Sequence, residues 1–587
     1  MLQVKTFRLM SKAQFLARLI SSYFVVLSLF AQQPAPQQPS PARAIEEKPE
    51  DDGIPITSTV VRTACAHCHT IDDKNRMSRI SYRRTTPEGW QETIRRMVSL
   101  NKVELTPKDA REIVRYLSNH LGLAPEEARP ALFEVERRMI DFKYTDRDIE
   151  QICARCHSLG RVISQRRTKE EWELLIAMHR GYYPLSDFQA FRRTGPPQTQ
   201  PGPDGRPPDN RHPMEKAVAH LAEAFPLKTN EWSAWSANMR TPKLAGRWAL
   251  SGYQVGRGAL YGQMVVTTNP EAEDEFVTQV RYAYARSGSS VERAGKALVY
   301  TGFQWRGRSF DGKDEKSGLR EVMFVERDWQ RMSGRWFTGA YDELGTDIKL
   351  QRITNDPIVL GAEPIALKTS SSARTVRIFG ANFAAKLTPA DVNFGQGVKV
   401  SRIVSVDPDS VSVEVDVAAD APLGARDVFV SGAARHAAVV VFNKIDGIKV
   451  RPQAGMARVG GANFPKQYQQ FEAVAYNNGA DGKPDTKDDL DLGIVDVAWS
   501  LEEYTATFGD DDKEFVGTID ASGLFTPNID GPNPKRKNQT NNYGDVWVVA
   551  TFTPEASGPP ARPIRARAHL LVTVPVYMRW EPSEVTR

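Results

Sequence analysis

The chain has 587 residues, a quarter of them charged, a formal net charge of +5 and a mean hydropathy of −0.44. That length exceeds what one hydrophobic core can organise, so several domains are expected. The small net charge gives no argument for nucleic acid, and no segment beyond residue 31 approaches the roughly 20 apolar residues of a membrane-spanning helix.

Taken in chain order, Lys5, Arg8, Lys12 and Arg18 precede an apolar run over residues 19–31, LISSYFVVLSLFA. A charged segment, a short apolar core and a small residue at Ala31 are the parts of a secretory signal peptide over residues 1–31. An uncleaved anchor shares those parts, and under either reading the remainder is exported, with the periplasm as the expected compartment. Residues 32–56 open with QQPAPQQPSPARA, a Pro/Gln-rich stretch expected to be a flexible linker.

All four cysteines fall in two CxxCH motifs, Cys65-Ala-His-Cys68-His69 and Cys153-Ala-Arg-Cys156-His157. CxxCH is the attachment signature of a c-type haem: two thiols form thioethers with the porphyrin, and the adjacent His supplies the proximal iron ligand. Two covalently bound haems c are therefore expected. A zinc site assembled from both motifs and a redox disulfide are the competing readings, though a disulfide gains nothing from a His that follows twice.

The motifs head an internal repeat. Each is followed by a helix that opens with a Trp (Trp90, Trp172), then a loop, then an amphipathic helix whose Tyr116-Leu117 or His220-Leu221 pair is placed to pack inward. In the second copy the loop holds the insert TGPPQTQPGPDGRPPDN, which lacks the composition for a core. Superposing the Trp residues puts Met97 opposite His179, each seven residues on. The expected iron ligands are thus His69 and Met97 for the first haem and His157 and His179 for the second. A thioether stabilises ferrous iron relative to a second imidazole, so the second haem is expected to be the lower in potential. Met77 and Met178 are rival ligands, His212 and His220 further ones, and His67 reads as exposed filler. Arg62, Arg95, Arg155 and Arg161 are candidate partners of haem propionates. The whole of residues 57–228 is expected to be an all-α dihaem cytochrome c domain.

Three all-β domains are expected beyond it. Over residues 230–355, segments such as GRWALSGYQV, LYGQMVVTTN, VTQVRYAYAR, KALVYTGFQWRG, REVMFVERD and RMSGRWFTGAYDE alternate and are separated by turn residues, which predicts five or six strands closed into an antiparallel barrel. Its aromatic residues suit packing better than a ligand cavity. Residues 357–444 resemble an IPT-like immunoglobulin fold through the Gly380-Ala-Asn382-Phe383 turn, and residues 446–587 resemble a bacterial Ig-like domain through VDVAWSLE and TIDASGLFTP. The loop NNGADGKPDTKDDLDLG gathers Asp481, Asp485, Asp488, Asp489 and Asp491, as a Ca²⁺ site or as a solvated loop, without EF-hand spacing.

The order of these parts, and above all YTDRDIEQICARCHSLGRVISQRRTKEEWELLIAMHRGYYPLSDFQAFRR, resembles the alpha subunit of bacterial quinohemoprotein amine dehydrogenase. The resemblance implies a heterotrimer that oxidatively deaminates primary amines at a cysteine tryptophylquinone. That cofactor would sit in a small partner subunit beside a β-propeller subunit, so no catalytic residue is assigned here, in keeping with a chain that has no fifth cysteine for the cross-link. The role implied is to pass electrons from the quinone through the two haems to a soluble cytochrome c or blue copper protein. A free-standing dihaem carrier and a dihaem peroxidase are the alternatives; the peroxidase needs an open or labile haem ligand.

Overall fold

The computed structural model describes residues 53–136, 144–193, 195–201, 205, 207–312, 314, 317–338, 344–504, 510–554 and 562–575. The expected signal peptide and most of the expected linker, through residue 52, lie outside them, as does part of the Pro/Gly insert.

The described residues before the first long strand are mainly helical. Helix α1 (Thr59–Cys65) delivers the first CxxCH, and α2 (Pro87–Asn101) and α3 (Pro107–His120) follow it. Helix α4 (Arg147–Cys153) delivers the second motif, followed by α5 (Lys169–Tyr182) and α6 (Pro213–Ala224). The copies start alike because their caps are alike: Thr86 and Thr168 each accept a hydrogen bond from the backbone N–H three residues on, closing the first turn of the Trp helix. They also close alike. Trp90 Nε1 donates to the carbonyl of Leu121 (3.0 Å) and Trp172 Nε1 to that of Phe225 (3.2 Å), in each copy the residue that caps the closing helix. Leu117 and Leu221 are buried beneath these caps.

One feature of this region differs from the all-α expectation. Strand β1 (Arg83–Thr85) pairs antiparallel with β2 (Gln165–Arg167), joining the two copies through a two-stranded ladder. With only three polar residues a side, neither strand carries the alternation of apolar residues by which strands are read. On one face of the ladder Arg84 and Arg166 both grip Glu127, at 2.8 and 3.1 Å.

Eight antiparallel strands then close a barrel: β3 (Gly246–Gln254), β4 (Gly258–Asn269), β5 (Ala272–Tyr284), β6 (Ser290–Tyr300), β7 (Gln304–Phe310), β8 (Leu319–Val325), β9 (Arg331–Phe337) and β10 (Thr346–Arg352), with β10 paired back to β3. Five or six strands were expected. The segment KALVYTGFQWRG is two strands, because Thr301 and Gly302 take positive φ (52° and 72°) and reverse the chain between them. The closing strand TDIKLQR has five polar or charged residues of seven; Thr346, Ile348 and Leu350 are its buried face, and only Ile348 and Leu350 are apolar. The interior is packed with Trp248, Trp305, Trp336, Met264, Met323 and their neighbours, as expected of a small barrel.

Two four-stranded sheets follow. Ile358–Glu363, Ser371–Ala381, Ser410–Val417 and Val398–Asp407 form one; Ala366–Lys368, Ala433–Phe442, Gly424–Val430 and Val392–Asn393 form the other, with one valine-rich core. Asn382 takes φ 55° at the turn after Ser371–Ala381, and its side chain donates to the carbonyls of Thr354 (2.6 Å) and Asp356 (3.2 Å). The C-terminal part holds three- and four-stranded sheets over a common core, and a smaller three-stranded sheet. In its acidic loop Lys449 pairs with Asp485 and Asp489, Arg451 with Asp491, and Asp488 accepts from the Asp481 N–H. These carboxylates are shared among cations and amides, in the manner of a solvated charged loop.

The barrel is the platform for the helical region. Glu88, at the first turn of α2, accepts from Arg306 (2.7 Å) and Arg320 (3.1 Å), Arg115 pairs with Asp274, and the Thr301 N–H donates to Asn119 (2.7 Å). At the other end Tyr253 and the Gly256 N–H donate to Glu472, at 2.9 and 3.0 Å. No helix among the described residues is long and apolar enough to cross a membrane.

Candidate haem sites

Both CxxCH motifs open onto one cleft of about 2770 Å³, walled by the two helical copies, the barrel and the Pro452–Gln469 edge of the C-terminal part. A pocket for one small ligand holds about 300–1,000 Å³, so this cleft has room for more than one large planar group.

The local chemistry of each motif follows from its helix end. Helix α1 stops at Cys65, whose carbonyl accepts from the N–H groups of Cys68 (3.2 Å) and His69 (3.0 Å), turning both side chains to the cleft. His69 Nδ1 then lies 2.7 Å from the Ser78 carbonyl, and His157 Nδ1 lies 2.9 Å from the Ser158 carbonyl. A carbonyl oxygen only accepts, so each Nδ1 carries the proton and each Nε2 is left as a lone-pair donor. Burial first, then the charges of Arg161 and His179, pushes His157 down to about 4 and keeps its ring neutral. Burial also pushes the Cys65 thiol up to about 11, with help from Cys68, and that of Cys153 up to about 12, with help from Asp146.

The other expected ligands line the same cleft. His179, on α5, donates from Nδ1 to the Leu175 carbonyl (2.8 Å), so its Nε2 is free in the same sense. Its ring centroid lies 6.3 Å from that of His157. At that separation the two imidazoles would be the pair of residues that holds the iron of a haem attached at Cys153 and Cys156. Met97 is half-buried on α2 and lines the same cleft as His69. Met178 reaches the cleft too, whereas Met77 is fully buried in the core of the first copy. His212 caps α6 by accepting from the Met214 N–H, and His220 is held by Tyr144 (2.9 Å) and Asp146 (3.7 Å). Neither lines the cleft.

These residues fit a covalently held haem: paired thiols, an adjacent His with Nε2 exposed, a second soft or imidazole donor on the facing helix, and apolar walls such as Ile80, Trp90, Ile94 and Leu117. They do not gather as zinc ligands. Among the described residues, the only group of three or more His, Cys, Asp or Glu whose ligand atoms lie within 4.8 Å of one another is Asp510, Asp511 and Asp512, far along the chain.

Of the arginines expected near propionates, Arg95 and Arg161 line the cleft, Arg161 also donating to Glu134, whereas Arg62 donates to Asn75 and Arg155 turns back to its own backbone at Gln151. Sequence reasoning missed Arg83, Arg96 and Arg167, which line the cleft. The signal was present as the Arg-Arg-Thr that precedes both Trp helices, in YRRTTPEGW and SQRRTKEEW.

Comparisons with known proteins bear on these sites and on the domains around them. Residues 56–195 match the family model "Quinohemoprotein amine dehydrogenase A, alpha subunit, haem binding". Residues 241–353, 356–443 and 448–585 match domains II, III and IV of the quinohemoprotein amine dehydrogenase alpha subunit. No curated protein matches the chain. Among solved structures, a redesigned β-barrel is 12% identical, covering 19% of this chain and 92% of its own, with a TM-score of 0.17. The human mucin-like protocadherin EC1-2 is 12% identical, covering 38% and 99%, with a TM-score of 0.15. Neither carries an argument. Four successive models from a single family do, and the chain belongs to the alpha subunits of quinohemoprotein amine dehydrogenase.

Proposed function

We propose that this chain is the periplasmic electron-transfer subunit of an amine dehydrogenase and holds two haems c. Cys65 and Cys68 attach the first, with His69 and Met97 as its iron ligands. Cys153 and Cys156 attach the second, with His157 and His179. Bound there, each haem supplies a one-electron couple, and the chain's own residues set which way the couple leans. The Met97 thioether favours ferrous iron more than the His179 imidazole does, so electrons run from the second site towards the first. The family implies the rest of the assembly: a small subunit bearing a cysteine tryptophylquinone, where primary amines are oxidised, a β-propeller subunit, and a soluble cytochrome c or blue copper protein as acceptor. The two β units after the barrel are read as Ig-like sandwiches that brace the assembly.

The observation that carries the reading is the pairing of His157 with His179 at 6.3 Å, each with Nδ1 tied to a carbonyl, in a cleft it shares with the repeated motif. The test is to purify the complex, add a primary amine without oxygen and follow the haem absorption bands. Reduction by amine supports the assignment. Haems that stay oxidised with amine, yet reduce with dithionite, refute the link to a quinone partner and favour a free-standing dihaem carrier.

A further inference from the structure

The ladder that joins the two copies has a second face. Residues directly opposite in an antiparallel pair project to the same side, and Arg83 is registered opposite Arg167. While Arg84 and Arg166 point away to Glu127, Arg83 and Arg167 line the cleft. Each lies over the ring of the Trp of its own copy, Arg83 at 5.2 Å from Trp90 and Arg167 at 5.6 Å from Trp172. Each Trp is seven residues, two helical turns, before the expected distal ligand on the same helix face, so the pair sits at the base of both haem sites.

The charges there do not balance. Arg167 has Glu171 at 3.4 Å, but that carboxylate is shared with Arg79 at 3.1 Å. Arg83 donates to the Thr93 hydroxyl (2.7 Å), its buried Nε has no hydrogen-bond partner, and the charges of Glu92 and Glu171 act on it only in part against those of Arg167 and Arg96. Burial, then the charges of Arg167 and Arg96, depress its pKa well below the usual guanidinium value. Four guanidinium groups, of Arg79, Arg83, Arg96 and Arg167, act on one another there with Glu92 and Glu171 as the carboxylates, an excess of positive charge that calls for further anions, and planar bidentate recognition of carboxylates is what Arg does well.

We propose that Arg83 and Arg167 form a single carboxylate-binding site that takes a propionate from each haem and thereby ties the potentials of the two haems together. The inference rests on the dihaem reading above. Positive charge beside a haem disfavours the ferric state, so the pair raises both potentials, and loss of either guanidinium lowers both.

The test uses the assembled complex carrying Arg83→Gln, Arg167→Gln or Arg83→Lys, with Arg402→Gln, exposed in another domain, as control. Intact mass counts the attached haems, and a spectroelectrochemical titration reads each potential. In either Gln variant both haems should shift about tenfold towards the oxidised form, ~59 mV for a one-electron couple. Arg402→Gln should leave both unchanged, and Arg83→Lys, which keeps the charge, should keep both potentials close to those of the parent. If each Gln variant moves only its own haem, or neither, the shared site is refuted. Should the Gln variants fail to assemble, Arg83→Lys decides: potentials near those of the parent support the site, and a full drop overturns it. A parent chain with fewer than two attached haems defeats the dihaem reading itself, a result the mass reports separately.

Discussion

Replacing Glu127 by Ala should unfasten the junction between the two haem copies. The Glu127 carboxylate accepts from both terminal nitrogens of Arg84 (2.8 Å each), from Arg166 Nε (3.1 Å), from the Ala124 N–H (2.8 Å) and from the Thr229 hydroxyl (2.8 Å). The Arg84 side chain is fully buried. Removing one partner of a buried ion pair costs about 3–5 kcal/mol, and two guanidinium groups depend on this one, so the upper end of that range is expected. At 1.36 kcal/mol per factor of ten, that is roughly several thousandfold in the unfolding equilibrium of the helical region. Urea unfolding followed at the haem absorption band reads that region alone. Arg402→Ala, which breaks the exposed Arg402–Glu414 pair, should cost less than about 1 kcal/mol in the same assay. If Glu127→Ala costs no more than that control, the junction does not depend on the charge. Acid gives the same test without a large-to-small change. Burial pushes the Glu127 carboxyl up, but the hydrogen bonds and charge of Arg84, with Arg166, outweigh it and hold the pKa below its ordinary value. A carboxyl depressed by folding contributes stability above its unfolded pKa and loses it as pH falls through the folded one. The penalty of Glu127→Gln should therefore be full at pH 7, begin to fall near the ordinary carboxyl value of about 4.3, and vanish only below the folded pKa, which lies beneath it.

Other expectations follow from the sites and the packing. His179→Ala should convert the second haem to a high-spin spectrum that binds added imidazole and leave the first unchanged; an unaltered spectrum would disprove this ligand. Met97→His should lower the potential of the first haem towards that of the second, and a redox titration of the parent with two equal potentials would contradict the ligand contrast. In the barrel, Trp248→Ala should cost about 3–5 kcal/mol, because the ring is wholly buried and its Nε1 donates to the Leu244 carbonyl at 3.0 Å; a thermal melt within a few degrees of the parent would argue against a packed interior. Tyr253→Phe removes one of the two donors to Glu472, whose pKa burial already raises, and should cost about 1–3 kcal/mol, read as easier proteolysis between barrel and C-terminal part.

Much of the chemistry is local and could be read from the chain. CxxCH needs only five consecutive residues to bring two thiols and an imidazole to one place, and a seven-residue step from Trp90 to Met97 or Trp172 to His179 is two helical turns wherever the helix lies. Alternation made the longer barrel strands legible for the same reason, since a period of two is a property of the strand itself. What the sequence could not settle depends on partners distant along it. The ladder of Arg83–Thr85 with Gln165–Arg167 has no apolar alternation and exists only because the two helical copies meet. The barrel's strand count turned on one reversal at Thr301-Gly302, held by Asn119 from another domain, and on a polar strand whose two apolar residues acquire meaning only when the barrel closes. Arginine identity was visible throughout; which arginines are neutralised by Glu127 and which face the cleft was decided by tertiary structure, because the face of a strand is assigned by what packs against it.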